Sequence, residues 1–289
     1  MAYAHVETKL FTLREVTVPV LPPGARDLRV LHVSDLHLVP TQQRKIDWIR
    51  SLAELEPDLV VDTGDNLAHV EALDPLLHAL EPLLDSTPGL FVMGSNDYYA
   101  PSPKNPARYL LPDARVSRSE PPRELPAAEL AAAFRDAGWV DLTNRRDVVE
   151  VGGLRLDLVG VDDPHLDRDV FPETELSRTM GADLRLGVTH APYRRVLDQM
   201  HADGSDVIIA GHTHGGQLCV PGFGALVTNC DLDRRRAKGL HGWPGARPDE
   251  DGGEASTWLH VSAGAGTSPY APFRFACRPE ATLVTLTSR

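Results

Sequence analysis

Five short apolar stretches of the sequence each lead into residues that can bind a metal ion or move a proton. The side chains at these ends are carboxylates, a carboxamide and imidazoles, and no cysteine is among them. The candidate residues are Asp35, His37, Asp65, Asn96, His190, His212 and His214. Nitrogen and oxygen ligands without thiolate suit Mn, Fe or Zn rather than copper or an iron–sulfur cluster. We therefore expect these residues to form a metal site.

Each motif alone is weak evidence for a metal site. The evidence becomes strong because every motif directly follows an apolar stretch. Asp-x-His at 35–37 is a common sequence, Gly64-Asp65 is typical of a turn, and His190 alone is typical of a hydrogen-bonded core histidine. Gly-His-Thr-His at 211–214 is more specific, because the glycine permits the bend that brings both imidazoles to one site. Chance is a poor explanation for all of these motifs following apolar runs.

Seven candidate ligands exceed the needs of one tetrahedral ion but fit two ions that share a carboxylate. Two metal ions about 3.5–4 Å apart can hold a hydroxide and clamp the attacking and leaving oxygens of a phosphoryl displacement. The ligand set therefore indicates phosphoester hydrolysis at a dinuclear centre.

The elements that must position these residues are visible as short runs of β-branched and apolar residues. Strands are predicted at 28–33, 58–63, 90–93, 154–161, 184–189, 206–210 and 257–263, with an edge strand in 11–21. Helical spacing of apolar residues predicts helices in 42–56, 74–85, 126–138 and 191–200. Alternating strands and helices indicate an α/β fold, whose sites form at the carboxyl ends of the strands.

Length and composition indicate one globular domain over residues 1–289. Hydrophobic residues make up 42% of the chain, and the mean hydropathy is -0.22. Two segments are expected to be surface insertions: 101–126, which is rich in proline, and 241–256, which is rich in Gly, Pro and acid. The net charge of -12 argues against nucleic acid as a partner.

The sequence carries no sign of export or membrane insertion. The first residues lack the basic and apolar regions of a signal peptide, and no run of 18 apolar residues occurs. The three cysteines, Cys219, Cys230 and Cys277, lack CxxC spacing, and an odd number fits a reducing compartment. We therefore expect the protein to be cytoplasmic.

The order of the motifs resembles that of the calcineurin-like metallophosphoesterase superfamily. The motifs are Asp-Leu-His, Gly-Asp, Gly-Ser-Asn-Asp, a single His and Gly-His-Thr-His-Gly-Gly-Gln. The resemblance extends from about residue 10 to the strand at 281–286. The last motif, ending at Gln217, resembles a bacterial phosphodiesterase branch whose members are often membrane-associated or exported. The resemblance implies a four-layer αββα sandwich.

The resemblance also implies how two metal ions, Mn, Fe or Zn, would be held, with Asp65 bridging them. One ion would bind Asp35, His37, Asp65 and His214, and the other Asp65, an Asn-type oxygen, His190 and His212. A bridging hydroxide would attack a phosphodiester or pyrophosphate bond. The partner would be a phosphorylated small molecule or a lipid-linked substrate, with no nucleic acid, and peripheral membrane association is left open.

The third strand departs from the family pattern. The family has Gly-Asn-His-Asp, in which Asn binds a metal and His serves the leaving group, whereas this chain has Gly-Ser-Asn-Asp at 94–97. An ungapped alignment puts Ser95 on the ligand position, and a shift of one residue puts Asn96 there. We predict Asn96, because a carboxamide oxygen is a better ligand than a hydroxyl. Ser95, or a water in place of both, is the alternative.

In either register the usual proton donor is absent, although a positioned general acid contributes about 10²–10⁴-fold. Three explanations stay open: a good leaving group such as a diphosphate, a proton from His165, or a protein that keeps metals only as a scaffold. We favour an enzyme because every other ligand is present. The alternatives to a general phosphodiesterase are a cyclic-nucleotide phosphodiesterase and a metal-stabilised binding protein.

Two further segments have a functional and an ordinary interpretation. The segment 231–238 carries four cations, which would meet an anionic headgroup or second phosphate, or form an exposed basic turn. The segment 268–275 combines aromatics with an arginine and would line an apolar pocket or pack in the usual way. Asp162 and Asp163 would support a metal-binding histidine or cap a turn.

Overall fold

The computed structural model describes residues 2–103, 122–173 and 181–289 of the chain. The helices of these ranges are α1 (Ala2–Glu7), α2 (Gln43–Ser51), α3 (Leu73–Leu84), α4 (Ser95–Tyr98), α5 (Ala127–Asp136) and α6 (Arg194–Ala202). The first seven strands are β1 (Thr12–Leu21), β2 (Leu28–Val33), β3 (Leu59–Asp62), β4 (Gly89–Phe91), β5 (Val140–Asp141), β6 (Arg145–Val151) and β7 (Leu154–Gly160). The others are β8 (Leu184–Thr189), β9 (Val207–Ala210), β10 (Cys219–Val220), β11 (Gly224–Ala225), β12 (Gly239–Trp243), β13 (Thr257–Val261) and β14 (Glu280–Ser288).

The strands form two six-stranded sheets and one short hairpin, β10–β11. The first sheet has the order β1-β14-β2-β3-β4-β5, and the second has the order β12-β13-β9-β8-β7-β6. Strands β2 to β5 are parallel, and so are β7, β8, β9 and β13. Each sheet therefore presents a row of carboxyl ends at one edge, where loops can converge into a site.

The sheets pack face to face and carry helices on their outer faces. The core between the sheets contains Leu90 from the first sheet and Leu186 from the second. Helices α2, α3 and α5 cover the first sheet through residues such as Leu80 and Phe134, and α6 covers the second through Leu197. This is the predicted four-layer αββα sandwich, and the prediction is confirmed.

Helix α3 illustrates why the sequence folds in this way. Its buried residues Leu76, Ala79, Leu80 and Leu83 recur at helical spacing, so they form one apolar stripe against the first sheet. Burial of each leucine side chain stabilises the fold by about 1.5–3 kcal/mol. The stripe thus fixes the helix on the sheet and leaves the loops at the strand ends to build the site.

The predicted strands and helices are present, but the sequence patterns missed several elements. The predicted edge strand is β1, which lies at the edge of the first sheet. Helix α1 and strands β5, β6 and β12 were not expected, because they are short or lie on sheet edges where no strong apolar pattern is needed. Edge elements are therefore the part of this fold that periodicity predicts least well.

The two expected insertions differ in outcome. Within 101–126, residues 104–121 lie outside the described residues. The segment 241–256 is not wholly an insertion, since its first residues belong to β12, which pairs antiparallel with β13 and buries Trp243. The backbone hydrogen bonds between β12 and β13 explain why these residues form a strand instead of a surface loop. Among the described residues, no helix combines the length and the apolar character needed to cross a membrane.

Candidate metal centre

The loops after β2, β3, β4, β8 and β9 converge at the carboxyl ends of the two sheets. Backbone hydrogen bonds join the first two loops, since Asp35 N donates to Gly64 O at 2.9 Å and His37 N donates to Asp65 O at 2.9 Å. His212 N, from the second sheet, donates to Asp35 Oδ2 at 3.0 Å. Loops far apart in the sequence are therefore held in one rigid cluster.

One set of donors gathers around Asp35. His37 Nε2 lies 3.2 Å from His214 Nε2, and His214 Nε2 lies 3.5 Å from Asp35 Oδ1. Asp65 Oδ2 completes the set at 3.4 Å from His37 Nε2. Asp35, His37 and His214 can thus offer ligand atoms to one metal ion.

A second set lies on the other side of Asp65. The other carboxylate oxygen, Asp65 Oδ1, is 3.5 Å from His190 Nε2, which in turn is 3.2 Å from His212 Nδ1. The ligand atoms of Asp35, Asp65 and His190 also lie within 4.8 Å of one another. Asp65 is therefore placed between two groups of imidazoles, with one oxygen toward each.

These donors fit metal ions. Two donors bound to one ion at about 2.1 Å lie about 3.0–3.4 Å apart in octahedral or tetrahedral geometry, close to the separations in both sets. Asp35 Oδ1 and His37 Nδ1 are buried and have no hydrogen-bond partner within the described residues. Burying a hydrogen-bond acceptor costs free energy unless a cation or a hydrogen-bond donor contacts it. The orphaned Asp35 oxygen, which points to His214, matches a cation at that position.

Backbone carbonyls orient three of the imidazoles. His190 Nδ1 lies 2.7 Å from Thr63 O, His212 Nε2 lies 3.1 Å from Asn229 O, and His214 Nδ1 lies 3.1 Å from Gly266 O. In a neutral imidazole, a ring nitrogen that donates to a carbonyl leaves the other nitrogen unprotonated and available to a metal. In each case the remaining nitrogen is the one that faces the donor cluster.

Hydroxyl groups that the sequence analysis missed orient Asp35. Ser34 Oγ donates to Asp35 Oδ2 at 2.5 Å, and Thr63 Oγ1 donates to Ser34 Oγ at 2.6 Å. His32 Nε2 lies 2.9 Å from Thr63 Oγ1, in the buried interior. Because Oδ2 is occupied, Oδ1 is the oxygen left for a cation. The sequence feature that could have predicted this contact is a hydroxyl residue directly after each strand: Ser34 after β2 and Thr63 after β3.

Five candidate ligands adopt left-handed backbone conformations. The φ angles of Asp35, His37, Asp65, His212 and His214 are 50°, 40°, 58°, 67° and 50°. Such conformations cost a residue other than glycine about 1 kcal/mol or more, and they concentrate at functional sites. The surrounding sheets therefore hold these side chains in positions that the local sequence alone would not select.

The role predicted for Gly211 needs a correction. The bend of the Gly-His-Thr-His segment is made by His212 and His214, which have the positive φ angles, and not by the glycine. Gly211 is required instead for space, because a Cβ atom there would lie 2.0 Å from Ser34 Oγ and 2.7 Å from Asp35 Oδ2. Close approach of two loops, not backbone freedom, explains this glycine.

Burial keeps most of the imidazoles neutral. It holds the pKa of His37 and of His212 well below the usual range, with help from neighbouring imidazoles. Burial also lowers the pKa of His214 to about 4, although Asp35 opposes it. Neutral imidazole is the form that binds a metal ion. These three side chains are thus ready to act as ligands at neutral pH.

His190 and the carboxylates behave differently. Burial lowers the pKa of His190, but the charges of Asp65, Asp163 and Asp35 outweigh it and raise the pKa to about 9. Burial raises the pKa of the Asp65 carboxyl, and His190 opposes that shift. Burying a carboxylate costs free energy unless positive charge or hydrogen-bond donors compensate it. The site therefore has an excess of buried negative charge that a metal cation would neutralise.

Known proteins match the chain over most of its length. Residues 28–216 match the family model of calcineurin-like phosphoesterases. The chain belongs to this family. A metallophosphoesterase of Aquifex aeolicus (strain VF5) is 26% identical over 297 residues, covering 99% of this chain and 95% of the relative. The phosphodiesterase YaeI of Escherichia coli (strain K12) is 25% identical over 290 residues, covering 98% of this chain and 92% of the relative.

Among solved structures, a 5'-nucleotidase precursor from Thermus thermophilus has a TM-score of 0.44 and 14% identity, covering 90% of this chain and 55% of that chain.

The family membership and the relatives identify the chain as a metal-dependent phosphoester hydrolase. The residues described above are the candidate metal ligands of this phosphoesterase.

Asp97 organises the loops after β3 and β4, the first of which carries Asp65. Its Oδ2 accepts from Gly94 N at 2.8 Å and from Asp65 N at 2.9 Å, and its Oδ1 accepts from Asn66 N at 2.8 Å. The side chain is fully buried, and this burial, together with the Asp65 charge, raises the pKa of Asp97 to about 7. The carboxylate thus ties the loop after β4 to the loop after β3.

We expect Asp97→Asn to lower the free energy of unfolding of the metal-free protein by about 2–4 kcal/mol, because a carboxamide cannot accept all three N–H groups. Urea unfolding followed by circular dichroism measures this loss. Asp74→Asn, at an exposed position of α3, is the matched control and should change stability little. Equal stability of the two variants would contradict the assigned role of Asp97.

Ser95 and Asn96 both contact Asp65 and both line the cavity of the site, which measures about 430 Å³. Ser95 Oγ lies 3.5 Å from Asp65 Oδ1, whereas Asn96 approaches the same oxygen through its backbone N–H at 2.6 Å. The Asn96 side chain donates from Nδ2 to Tyr99 O at 2.8 Å. This bond leaves Asn96 Oδ1 as the side-chain atom suited to a cation. Asn96 as a metal ligand stays a prediction.

His165 lies at the same cavity as the candidate ligands. Its ring centroid is 4.6 Å from that of His212, and its Nδ1 lies 3.0 Å from the Tyr193 hydroxyl. Asp163 accepts from His165 N at 2.9 Å, which caps the turn at Pro164–Leu166. Asp163 therefore caps this turn, and its charge also acts on the candidate ligand His190. The proton-donor role of His165 stays a prediction.

Proposed function

We propose that this phosphoesterase hydrolyses a phosphodiester or pyrophosphate bond at a dinuclear metal centre built on Asp65. One observation carries the proposal: the two oxygens of Asp65 face different imidazole groups, with Oδ2 toward His37 and Oδ1 toward His190. A carboxylate in this position suits two cations better than one. The Asp65 carboxylate would bridge them.

The chain offers one ligand set for each cation. Asp35, His37, Asp65 and His214 would hold the first, and Asp65, Asn96, His190 and His212 would hold the second. Oxygen and imidazole ligands suit Mn, Fe or Zn. When bound, the two ions supply water activated as a nucleophile at neutral pH and offset the negative charge of the phosphoryl oxygens.

The residues of the chain itself would position the substrate and the proton. His37, Asp65 and His212 line the cavity, so a phosphoryl group inside it would lie beside the ligand cluster. His165, whose ring lies close to that of His212 and whose Nδ1 contacts the Tyr193 hydroxyl, would donate a proton to the departing oxygen. A pyrophosphate has a good leaving group and fits a site that lacks the histidine of the third-strand motif, whereas an alkyl diester would depend on the proton of His165.

The test uses protein stripped of metal with a chelator and then reloaded with Mn²⁺. Bis-p-nitrophenyl phosphate should be hydrolysed only by the reloaded protein, and at a higher kcat/KM than the monoester p-nitrophenyl phosphate. Melting temperatures are measured on the same samples. A metal that raised the melting temperature without restoring turnover would have a structural role only, and the proposal would fail.

A pair of substitutions tests the third-strand ligand. We expect Asn96→Ala to weaken binding of the second Mn²⁺ by about tenfold or more. Loss of a metal ligand, or of a residue that orients one, typically lowers metal affinity by at least this factor. Ser95→Ala should weaken it less, because a neutral hydroxyl is a poor donor. Isothermal titration calorimetry on stripped protein measures both affinities. A larger loss in Ser95→Ala would assign the position to Ser95.

A further inference from the structure

Large apolar side chains are exposed on one part of the molecule. Phe223, at the tip of the β10–β11 hairpin, is 62% exposed. We call the following set the apolar face: Tyr3, Leu218, Val220, Phe223, Tyr270 and Phe275. Contiguous exposed apolar surface is uncommon on soluble proteins and marks a surface that meets another apolar phase or partner.

The three segments that carry the apolar face are in direct contact. The rings of Tyr3 and Phe275 lie 6.1 Å apart in an edge-to-face arrangement. Cys219 N donates to Phe275 O at 2.9 Å, and Phe275 N donates to Gln217 O at 3.0 Å, which fixes Leu218 beside Phe275. The exposed side chains thus belong to segments that pack against one another.

Helix α1 is anchored to the same surface. Arg274 N donates to Ala4 O at 2.9 Å, and the Glu7 carboxylate accepts from Ala276 N at 3.1 Å and from Cys277 N at 2.7 Å. Arg274 is itself fully buried, where it donates to Ala263 O and Gly266 O. The helix therefore presents Tyr3 on a rigid support.

Basic side chains border the apolar face. Arg234 and Arg235 are exposed, and the Arg234 guanidinium lies 5.2 Å above the Phe223 ring. They line a groove of about 1350 Å³ together with Lys238. The acids that also line this groove, Asp233 and Glu250, are paired with Arg236 and Arg247. The border is thus positive, although the net charge of the chain is -12.

The apolar face is continuous with the metal cavity. Gln217 and Ser268 line that cavity; Gln217 directly precedes Leu218, and Ser268 lies two residues before Tyr270. Gln217 Nε2 donates to Ala271 O at 2.8 Å, so the two segments are tied together at the rim. A molecule lying on the apolar face would therefore have its polar end near the candidate metal ligands.

We infer that the apolar face docks on a lipid bilayer with anionic headgroups, and that the metal cavity takes its phosphorylated substrate from that surface. Aromatic and aliphatic side chains enter the interface of a bilayer, and adjacent arginines contact its phosphates. The acidic remainder of the surface is repelled by such a bilayer, which orients the molecule with this face down. The second half of the inference rests on the proposed function; the docking itself does not.

The test is sedimentation of the full chain with vesicles of phosphatidylcholine, with and without phosphatidylglycerol. We expect binding to the vesicles with phosphatidylglycerol. Phe223→Ser should weaken it about tenfold, as expected for one buried aromatic side chain. Arg235→Ala should weaken it about fivefold. The matched controls are Val170→Ser, beside Asn144, and Arg44→Ala on α2, both at exposed positions; they should bind as the wild type does.

Turnover of soluble bis-p-nitrophenyl phosphate is measured for every variant and should not change, so a failure of docking is distinguishable from a failure of the proposed function. Absence of vesicle binding, or equal binding to both vesicle types, would overturn the inference. So would a dimer of the wild type in sedimentation equilibrium that Phe223→Ser dissociates, if no vesicle binding accompanied it. That result would assign the face to a second copy of the chain.

Discussion

Replacing Asp65 with alanine should lower kcat/KM for a phosphodiester by about 10³-fold or more, because the ions it would bridge supply several kcal/mol of transition-state stabilisation. Its oxygens face His37 at 3.4 Å and His190 at 3.5 Å, so both ligand sets lose a donor. The bound Mn²⁺ should fall from about two ions per chain to one or fewer. Metal content by mass spectrometry and turnover are measured on the same samples.

Two further variants separate a lost ligand from a lost fold. Asp65→Asn keeps the size of the side chain and should also lose activity, because a carboxamide offers one oxygen and no charge. Asp85→Ala, at an exposed position after α3, should retain metal and turnover. Wild-type metal content and activity in Asp65→Ala would refute the bridging role.

Replacing His165 with glutamine should have an effect that depends on the leaving group. Turnover of a diester with an alkoxide leaving group should fall by about 10²-fold or more, which is the contribution expected of a general acid. Turnover of bis-p-nitrophenyl phosphate should change by less than about threefold, because nitrophenolate leaves without a proton. The ratio of the two kcat values is the measured quantity.

Tyr193→Phe provides a conservative comparison, since it removes the hydroxyl 3.0 Å from His165 Nδ1 and keeps the ring. If Tyr193 positions His165, the variant should lower kcat for the alkyl diester by a smaller factor and leave KM nearly unchanged. Equal losses for both leaving groups in His165→Gln would contradict proton donation. They would assign His165 to packing against His212.

The sequence pattern predicted the α/β fold well because its central strands are buried on both faces, whereas the four-layer sandwich was predicted from the family resemblance. Runs such as 184–189 are apolar along most of their length, and the candidate ligands follow only where the strand ends. The same rule predicted that Asp35 and Asp65 would be neighbours, since β2 and β3 are parallel and end at one edge of the first sheet. The positions of Asp35 and Asp65 in the structure follow that expectation. His190 joins them from the end of β8 in the second sheet.

Several features of the site could not be predicted from local patterns. The positive φ angles of Asp35 and Asp65 depend on contacts from distant loops, and no propensity selects them. The three N–H groups that bind Asp97 come from two loops. The hydroxyl chain through Ser34 also crosses between strands. Tertiary contacts, which a one-dimensional pattern does not contain, determine these features.

A titration of stripped protein with Mn²⁺ decides whether the centre is dinuclear, when bound metal and hydrolysis of bis-p-nitrophenyl phosphate are both measured at each addition. We predict that turnover rises through the second equivalent and stops there, because both ligand sets around Asp65 must be filled. Full turnover at one equivalent, or two bound equivalents without turnover, would contradict a dinuclear phosphodiesterase.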